Sequence, residues 1–197
     1  MAKALPFGVQ LTPEQQRLWD TFLFLAKVLL LSLPLYFIIL TGVNLSVLQM
    51  IDASASSAIL RSMGFPVIQS GALITAGEPP ITFYLTEDCT AWKSALFLFA
   101  LIFAVPAVAL RKRLIGLGLG VPIIWIGNQA RIIGVVLTER VTSVQFAMFT
   151  HDYFWRAFLI LLVLGIWMLW IKRPMEPPTK HSHHIHRPWH AGSRRKR

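Results

Sequence analysis

Three polar side chains in an otherwise apolar chain have the types that acyl transfer requires. Cys89 is the only cysteine among 197 residues, Arg131 interrupts an apolar run in GNQARIIG, and His151 opens THDYFWRAF. A histidine can accept a thiol proton and return it to a leaving amine. An arginine stays charged and can stabilise an oxyanion. Brought together by the fold, the three would cleave a peptide bond through a thioester.

The surroundings of Cys89 predict opposing effects on its reactivity. An apolar run follows it, so an expected helix N-terminus and Lys93, four residues later, would both favour the thiolate. Glu87 and Asp88 oppose that effect if they are charged and close. A free cysteine is also often a small packed hydrophobe. The sequence therefore leaves open whether this thiol is reactive or structural.

Arg131 is the more unusual residue for its surroundings. A charged side chain inside a membrane segment is unfavourable unless it snorkels to the interface or finds a partner. Asn128 lies three residues earlier on the same helix face, and Gln129 adjoins it. Three polar residues within one turn favour a site that lines a cavity over a snorkelling arginine, with Asn128 as a supporting residue.

The composition indicates an all-α integral membrane protein. The chain is 55% hydrophobic and 14% charged, with a mean hydropathy of +0.58, which is too apolar for an ordinary soluble domain. Its length suits a single domain, expected over residues 1–171. Four windows of about 20 mostly apolar residues predict membrane helices. These windows cover residues 22–43, 90–110, 114–138 and 154–171.

Basic residues near the helix ends predict the orientation of the chain. Arg111, Lys112 and Arg113 form a turn between the second and third windows, and Lys172 and Arg173 follow the fourth. With four crossings, both termini are expected in the cytoplasm of a multi-pass plasma-membrane protein. No cleavable signal peptide is evident, so the first helix is expected to act as a signal anchor.

This topology places Cys89, Arg131 and His151 at the same outer level of the bilayer. A histidine at a membrane interface is usually incidental by itself, and Asp152 and Arg156 near it have the same ordinary interpretation. His151 gains significance from the other two residues. Together they predict an outward-facing, half-buried pocket.

The outer loop, residues 44–88, divides into two parts. Its first part has apolar residues at helical spacing, which predicts an amphipathic helix on the outer membrane surface. Those residues are Leu45, Leu48, Ile51, Ala55, Ile59 and Met63. Its second part is rich in β-branched residues and divided by Gly77, Pro79 and Pro80. That pattern predicts two short strands around a turn.

Most of the excess positive charge lies at the C-terminus. From Lys172 onward there are eight Lys or Arg and one acid, in a chain of net charge +10. This distribution favours a cytoplasmic tail near anionic lipid over nucleic-acid binding. Residues 172–197 are expected to be disordered. Four tail histidines suggest metal binding, although their spacing matches no defined zinc pattern; they are His181, His183, His184 and His186. No cofactor or metal is expected in the core.

The segments EDCTAW, PIIWIGNQARI and FTHDYFW together resemble the exosortase/archaeosortase family of membrane transpeptidases. The resemblance covers residues 82–171 and keeps the family's order; Ala91 stands where the family usually has glycine. With four predicted helices, the chain resembles a minimal version of the family's core. The resemblance implies that Cys89 is the nucleophile, Arg131 the proton donor or oxyanion partner, and His151 the third catalytic group.

The resemblance also implies a substrate class. Exosortases are thought to cut a C-terminal sorting signal of exported, membrane-anchored proteins and to pass the new C-terminus to an acceptor. Two other functions remain open from the residues. One is a non-catalytic assembly factor in which Cys89 is merely packed. The other is a small transporter with Arg131 as an anion site, which the lack of evident internal repeats disfavours.

Overall fold

The structure of the chain, a computed structural model, describes residues 12–172. The histidine-rich tail, on which the predictions of metal binding and disorder fall, lies outside the described residues. Helices and strands follow in this order: α1 Pro13–Leu31, α2 Leu33–Thr41, α3 Ser46–Ser62, β1 Val67–Ser70, β2 Leu73–Ala76, β3 Ile81–Tyr84, a 3₁₀ turn Glu87–Cys89, α4 Trp92–Ala104, α5 Leu110–Val141, α6 Val144–Phe149, a π-helical turn Thr150–Phe154 and α7 Trp155–Lys172. The predicted class, an all-α membrane protein, is confirmed.

Three stretches of the described chain are long and apolar enough to cross a membrane, where the sequence predicts four. They are Pro13–Thr41, Leu110–Val141 and Val144–Lys172. The second predicted span is the 13-residue helix α4, about 20 Å long at 1.5 Å per residue. It ends at Ala104 because Val105 is extended, as residues before proline tend to be. The next turn holds Ala107 at a φ of 56°.

Helix α5 is shared by both hydrophobic cores. Its first half packs between α4 and α7, where Leu98, Ile124 and Val163 are buried together. Its second half packs under the sheet and α3, where Ile74 and Val136 are buried. The helix that carries Arg131 is therefore fixed on several sides, which holds the arginine in place.

Glycines let α5 approach its neighbours closely. A Cβ on Gly120 would lie 2.5 Å from a methyl group of Leu98 on α4, and one on Gly134 would lie 2.2 Å from the Trp155 ring on α7. Small residues have this role at many membrane helix interfaces. The close contact at Gly134 also brings the start of α7 beside the turn of α5 that carries Arg131.

The outer loop carries a three-stranded antiparallel sheet in the order β1-β2-β3. The two strands predicted around Gly77, Pro79 and Pro80 are β2 and β3, and the sequence missed β1. Ser70 pairs with Leu73 around a two-residue turn, in which Gly71 has a φ of 61°, a conformation that glycine adopts freely. Tyr84 pairs with Leu73 on the other side of β2, and β3 then leads directly into the 3₁₀ turn.

Helix α3 confirms that a helix forms in the first part of the loop of residues 44–88, but its polar side faces the protein. Asp52, Ser56 and Ser57 are buried against the rest of the molecule, whereas Ile51 and Met63 of the predicted apolar face are exposed. An apolar face that points away from the protein suits a helix lying on a membrane surface. The polar side is consequently available for hydrogen bonds to α5.

Candidate active site

Cys89 ends the 3₁₀ turn Glu87–Cys89 and precedes α4 by three residues. Its backbone N–H donates to the Thr86 carbonyl at 2.9 Å. Thr90 has extended backbone angles, and its hydroxyl donates to the Glu87 carbonyl at 2.9 Å. The predicted helix start at Cys89 is therefore wrong, because the chain completes a separate turn before α4 begins at Trp92.

Lys93 does not have the predicted position over the thiol. Its ammonium pairs with the Asp88 carboxylate and lies 5.6 Å from the centroid of the Trp92 ring. The hydrogen bond from Lys93 is the main reason that the pKa of Asp88 is lowered. Lys93 thus stabilises the turn that holds Cys89, while its described contacts do not include the sulfur.

Arg131 is buried and joins two parts of the site. Its side chain is 4% exposed, so it does not snorkel outward. Nη1 donates to the Asp88 carbonyl at 3.1 Å, and Nη2 lies 2.8 Å from His151 Nε2. These two contacts link the 3₁₀ turn to the π-helical turn, and they keep the guanidinium beside the thiol.

The contacts of His151 define its tautomer. Because a guanidinium only donates, the Nε2 atom of His151 accepts from Arg131. Nδ1 then carries the proton and donates to Asp152 Oδ1 at 3.1 Å. The same oxygen accepts from Arg156 at 3.3 Å. Asp152, which the sequence suggests is incidental, therefore orients the imidazole; its place beside His151 was the only signal.

The structure brings Cys89, Arg131 and His151 together from three separate segments. Cys89 Sγ lies 4.0 Å from His151 Nε2 and 3.4 Å from the hydroxyl oxygen of Thr86. Sequence reasoning missed Thr86, whose relation to the sulfur depends on the tight turn Glu87–Cys89. The three residues of the predicted site thus share one location.

Asn128 supports the backbone of the cysteine. It is fully buried and its Nδ2 donates to the Cys89 carbonyl at 2.8 Å. Asn128 and Arg131 lie on one face of α5, as their spacing predicts. From that face they bind two consecutive carbonyls, those of Cys89 and Asp88.

The pKa of the Cys89 thiol is lowered overall. Burial raises this pKa, but hydrogen bonds with His151 and Thr86 and the positive charge of Arg131 outweigh that effect. The sequence left this balance undecided. Glu87 and Asp88, which would raise the pKa if they were charged and close, are not among its causes. A lowered pKa gives more thiolate near neutral pH, and the thiolate is the nucleophilic form.

The thiol opens into a mostly apolar cavity of about 230 Å³. Cys89, Arg131 and His151 line it together with Phe83, Tyr84, Leu85, Thr86, Ile132, Val135, Val136, Glu139 and Met148. Among residues 12–172, no cluster of His, Cys, Asp or Glu has the size to hold a metal ion. The arrangement suits nucleophilic attack by sulfur on a bound carbonyl, with cationic and imidazole groups at hand.

A second polar cluster connects α3 to α5. Asp52 Oδ1 accepts from Trp125 Nε1 at 2.7 Å and from Gln129 Nε2 at 2.8 Å. Ser56 donates to Gln129 Oε1 at 2.6 Å. Burial raises the pKa of Asp52, and the two hydrogen bonds offset part of that rise. Gln129, which the sequence grouped with Arg131, thus belongs to a separate cluster that attaches the outer helix.

Comparison with known proteins gives one match. The family model described as transmembrane exosortase matches residues 4–168 of the chain. No curated protein matches the chain. No solved structure matches it.

Proposed function

Because the chain belongs to the transmembrane exosortase family, whose members are in general membrane transpeptidases, we propose that it cleaves a C-terminal sorting signal of exported proteins through a thioester on Cys89. The new C-terminus is then transferred to an acceptor or released by water. The observation that carries this proposal is the convergence of Cys89, Arg131 and His151 in one cavity.

In the first half-reaction the Cys89 sulfur attacks the scissile carbonyl, and the thiol proton passes to His151 Nε2. Collapse of the tetrahedral intermediate breaks the C–N bond, and His151 returns the proton to the leaving amine. In the second half-reaction an acceptor nucleophile or water attacks the thioester and gives its proton to His151. The released thiolate recovers that proton, so protons and bonds balance over the cycle.

Arg131 acts on the oxyanion in this scheme. At rest its Nη2 atom occupies the single lone pair of His151 Nε2 at 2.8 Å, which must be free to accept the thiol proton. A substrate carbonyl that develops negative charge is a better acceptor than a neutral imidazole. Arg131 therefore turns from Nε2 to the oxyanion as the sulfur attacks, while its contact with the Asp88 carbonyl keeps it in place.

Asp152 holds the imidazole ready for this exchange. Its hydrogen bond to Nδ1 leaves Nε2 on the side of the thiol, and its negative charge stabilises the imidazolium that forms. Such a group orients its partner and does not itself transfer a proton.

The alternative function is an assembly factor with a structural cysteine. Cys89 packs against the buried cluster that includes Leu85 and Ile132, as a small hydrophobic residue would. The hydrogen-bond partners of the sulfur, Thr86 and His151, have no role in that interpretation.

Mass spectrometry of trapped adducts tests the proposal. The purified chain in detergent is incubated with an exported protein from the same genome that ends in a membrane helix and a basic cluster. We expect a thioester adduct on Cys89 that disappears with hydroxylamine and is absent from Cys89→Ser. Absence of an adduct, together with a thiol that resists alkylation at neutral pH, would favour the assembly factor.

The proposed site faces outward, with both termini in the cytoplasm of a plasma-membrane protein. This orientation needs four crossings, so the residues that flank α4 must add to its length of about 20 Å to match about 30 Å of hydrocarbon. A membrane-impermeant maleimide on intact cells tests it, because Cys89 is the only thiol. Labelling without permeabilisation is expected, and labelling only after permeabilisation would contradict the orientation.

A further inference from the structure

We propose that the free edge of β3 binds the substrate segment that precedes the scissile bond, as a fourth strand that leads to Cys89. This inference rests on the proposed function and adds to it the way in which the substrate is held. Addition of an extended peptide to an exposed sheet edge is a common mode of recognition, in which backbone hydrogen bonds provide affinity and pockets select alternate side chains.

Strand β3 lies at the edge of its sheet. It pairs with β2 on one side, and among residues 12–172 no strand pairs with its other side. An unpaired edge presents a row of backbone donors and acceptors to a further chain. The edge of β1, at the opposite side of the sheet, is partly occupied, because Arg61 donates to the Val67 carbonyl at 3.4 Å.

The hydrogen-bond pattern shows which groups the free edge offers. Leu85 N–H donates to the Ala72 carbonyl at 3.0 Å. In an antiparallel pair, alternate residues direct their backbone groups to the same partner, so Phe83 also bonds to β2. Thr82 and Tyr84 therefore direct their N–H and C=O groups away from β2. These two residues provide four backbone groups for an added strand.

The free edge continues into the cavity of the thiol. Phe83, Tyr84 and Thr86 all line that cavity together with Cys89. The Thr86 hydroxyl lies 3.4 Å from the sulfur. A peptide paired with Thr82 and Tyr84 is thus led along the wall of the cavity that also contains the nucleophile.

A second cavity fixes the direction of the bound chain. It has a volume of about 330 Å³ and shares Arg131 with the first cavity, and Lys93, Arg156, Leu159 and Ile160 contribute to its lining. Leu159 and Ile160 belong to the apolar helix α7. This cavity gives the membrane-anchored part of the substrate a path towards the bilayer. The part before the scissile bond then lies on β3 and runs parallel to it, towards Cys89.

The cavity lining predicts the kind of segment that binds. In an added strand every second side chain points to the same side. The side towards the first cavity meets Ile132, Val135, Val136 and Met148, with Glu139 as the one acid of the lining. The bound segment is therefore an extended peptide with apolar side chains at alternate positions.

Binding of a peptide to the full-length Cys89→Ala protein in detergent tests this inference without thioester formation, because the variant has no thiol. The probe is a fluorescent ten-residue peptide whose sequence directly precedes the C-terminal membrane helix of the exported protein described above. Thr82→Pro removes one outward N–H, and we expect it to weaken binding about tenfold. Thr82→Val removes the side-chain contact with Thr75 but keeps the N–H, so its affinity should match the parent. Gln69→Pro, on the β1 edge, controls for a proline in the sheet.

A series of N-methylated probes avoids any dependence on the folding of the variants. Methylation of one amide at a time, tested on the unaltered sheet, should weaken binding at every second position and leave the intervening positions unchanged. Equal effects at all positions, an affinity that Thr82→Pro does not change, or no binding of the probe would each overturn the inference. Binding that depends on the β3 edge, combined with no thioester in the protein that retains Cys89, would refute the proposed function and leave this inference standing.

Discussion

Replacement of Arg131 by lysine separates a positioned guanidinium from a simple positive charge. Arg131 makes two hydrogen bonds in different directions, to the Asp88 carbonyl at 3.1 Å and to His151 Nε2 at 2.8 Å. A lysine has one ammonium on a flexible stem and cannot reproduce this fork. A hydrogen bond from a charged donor contributes about 1.5–3 kcal/mol, and about 1.4 kcal/mol changes a rate tenfold. Loss of one such bond predicts thioester formation about 10- to 150-fold slower.

Single-turnover mass spectrometry, with the time course of the Cys89 adduct as the readout, measures this effect. Arg156→Lys is the matched control, because Arg156 is exposed and makes a single 3.3 Å bond to Asp152; its rate should change less than about threefold. An Arg131→Lys protein that reacts at more than half the original rate would refute the reasoning. It would show that a point charge at this position suffices for thioester formation.

Three further predictions concern the thiol, Asn128 and the separate cluster around Asp52. Because the pKa of Cys89 is lowered, iodoacetamide should react at lower pH than with an ordinary cysteine, and His151→Ala should move the rate profile to higher pH. Asn128→Leu leaves the Cys89 carbonyl without its 2.8 Å donor, and thioester formation should fall about tenfold, whereas an unchanged rate would exclude a positioning role. Because the pKa of Asp52 is raised, the folded protein binds the proton of this carboxyl more tightly than the unfolded chain does. The stability of the fold therefore falls as the pH rises from the pKa of Asp52 in the unfolded chain to its higher pKa in the folded protein. Asp52→Asn should therefore melt at a higher temperature than the parent at neutral pH, with a difference that shrinks on acidification.

The parts of the fold that follow from local pattern were predictable. Long apolar windows predicted three helices that match Pro13–Thr41, Leu110–Val141 and Val144–Lys172, because only a helix satisfies its own backbone in lipid. The second window, residues 90–110, failed in length, since Pro106 ends α4 early and hydropathy counts do not register that. Strand β1 was missed because a strand of four residues carries too little periodicity to identify.

The candidate site was predictable in its residues but not in its connections. Cys89, Arg131 and His151 stand out because polar residues in an apolar chain need a reason to be there. Asp152 and Thr86 do not stand out, because polar residues at a membrane interface are common. Lys93 was assigned to the thiol from its spacing of four residues, yet the separate turn before α4 directs it to Asp88. Such errors arise when the four-residue spacing of a helix is applied to two residues of which one lies before the helix begins.

The hydrogen bonds of the site make Arg131 and His151 a coupled pair. The lone pair of His151 Nε2 serves Arg131 at 2.8 Å, while the sulfur is 4.0 Å away. As long as Arg131 holds that lone pair, the imidazole is a poor base for the thiol. In the proposed reaction, a carbonyl that accepts from Arg131 frees the base and gains oxyanion stabilisation in the same movement. Removal of either residue therefore disables the other, so the losses from Arg131 and His151 variants should not add. Such coupling makes transfer of the thiol proton to His151 follow the binding of a carbonyl.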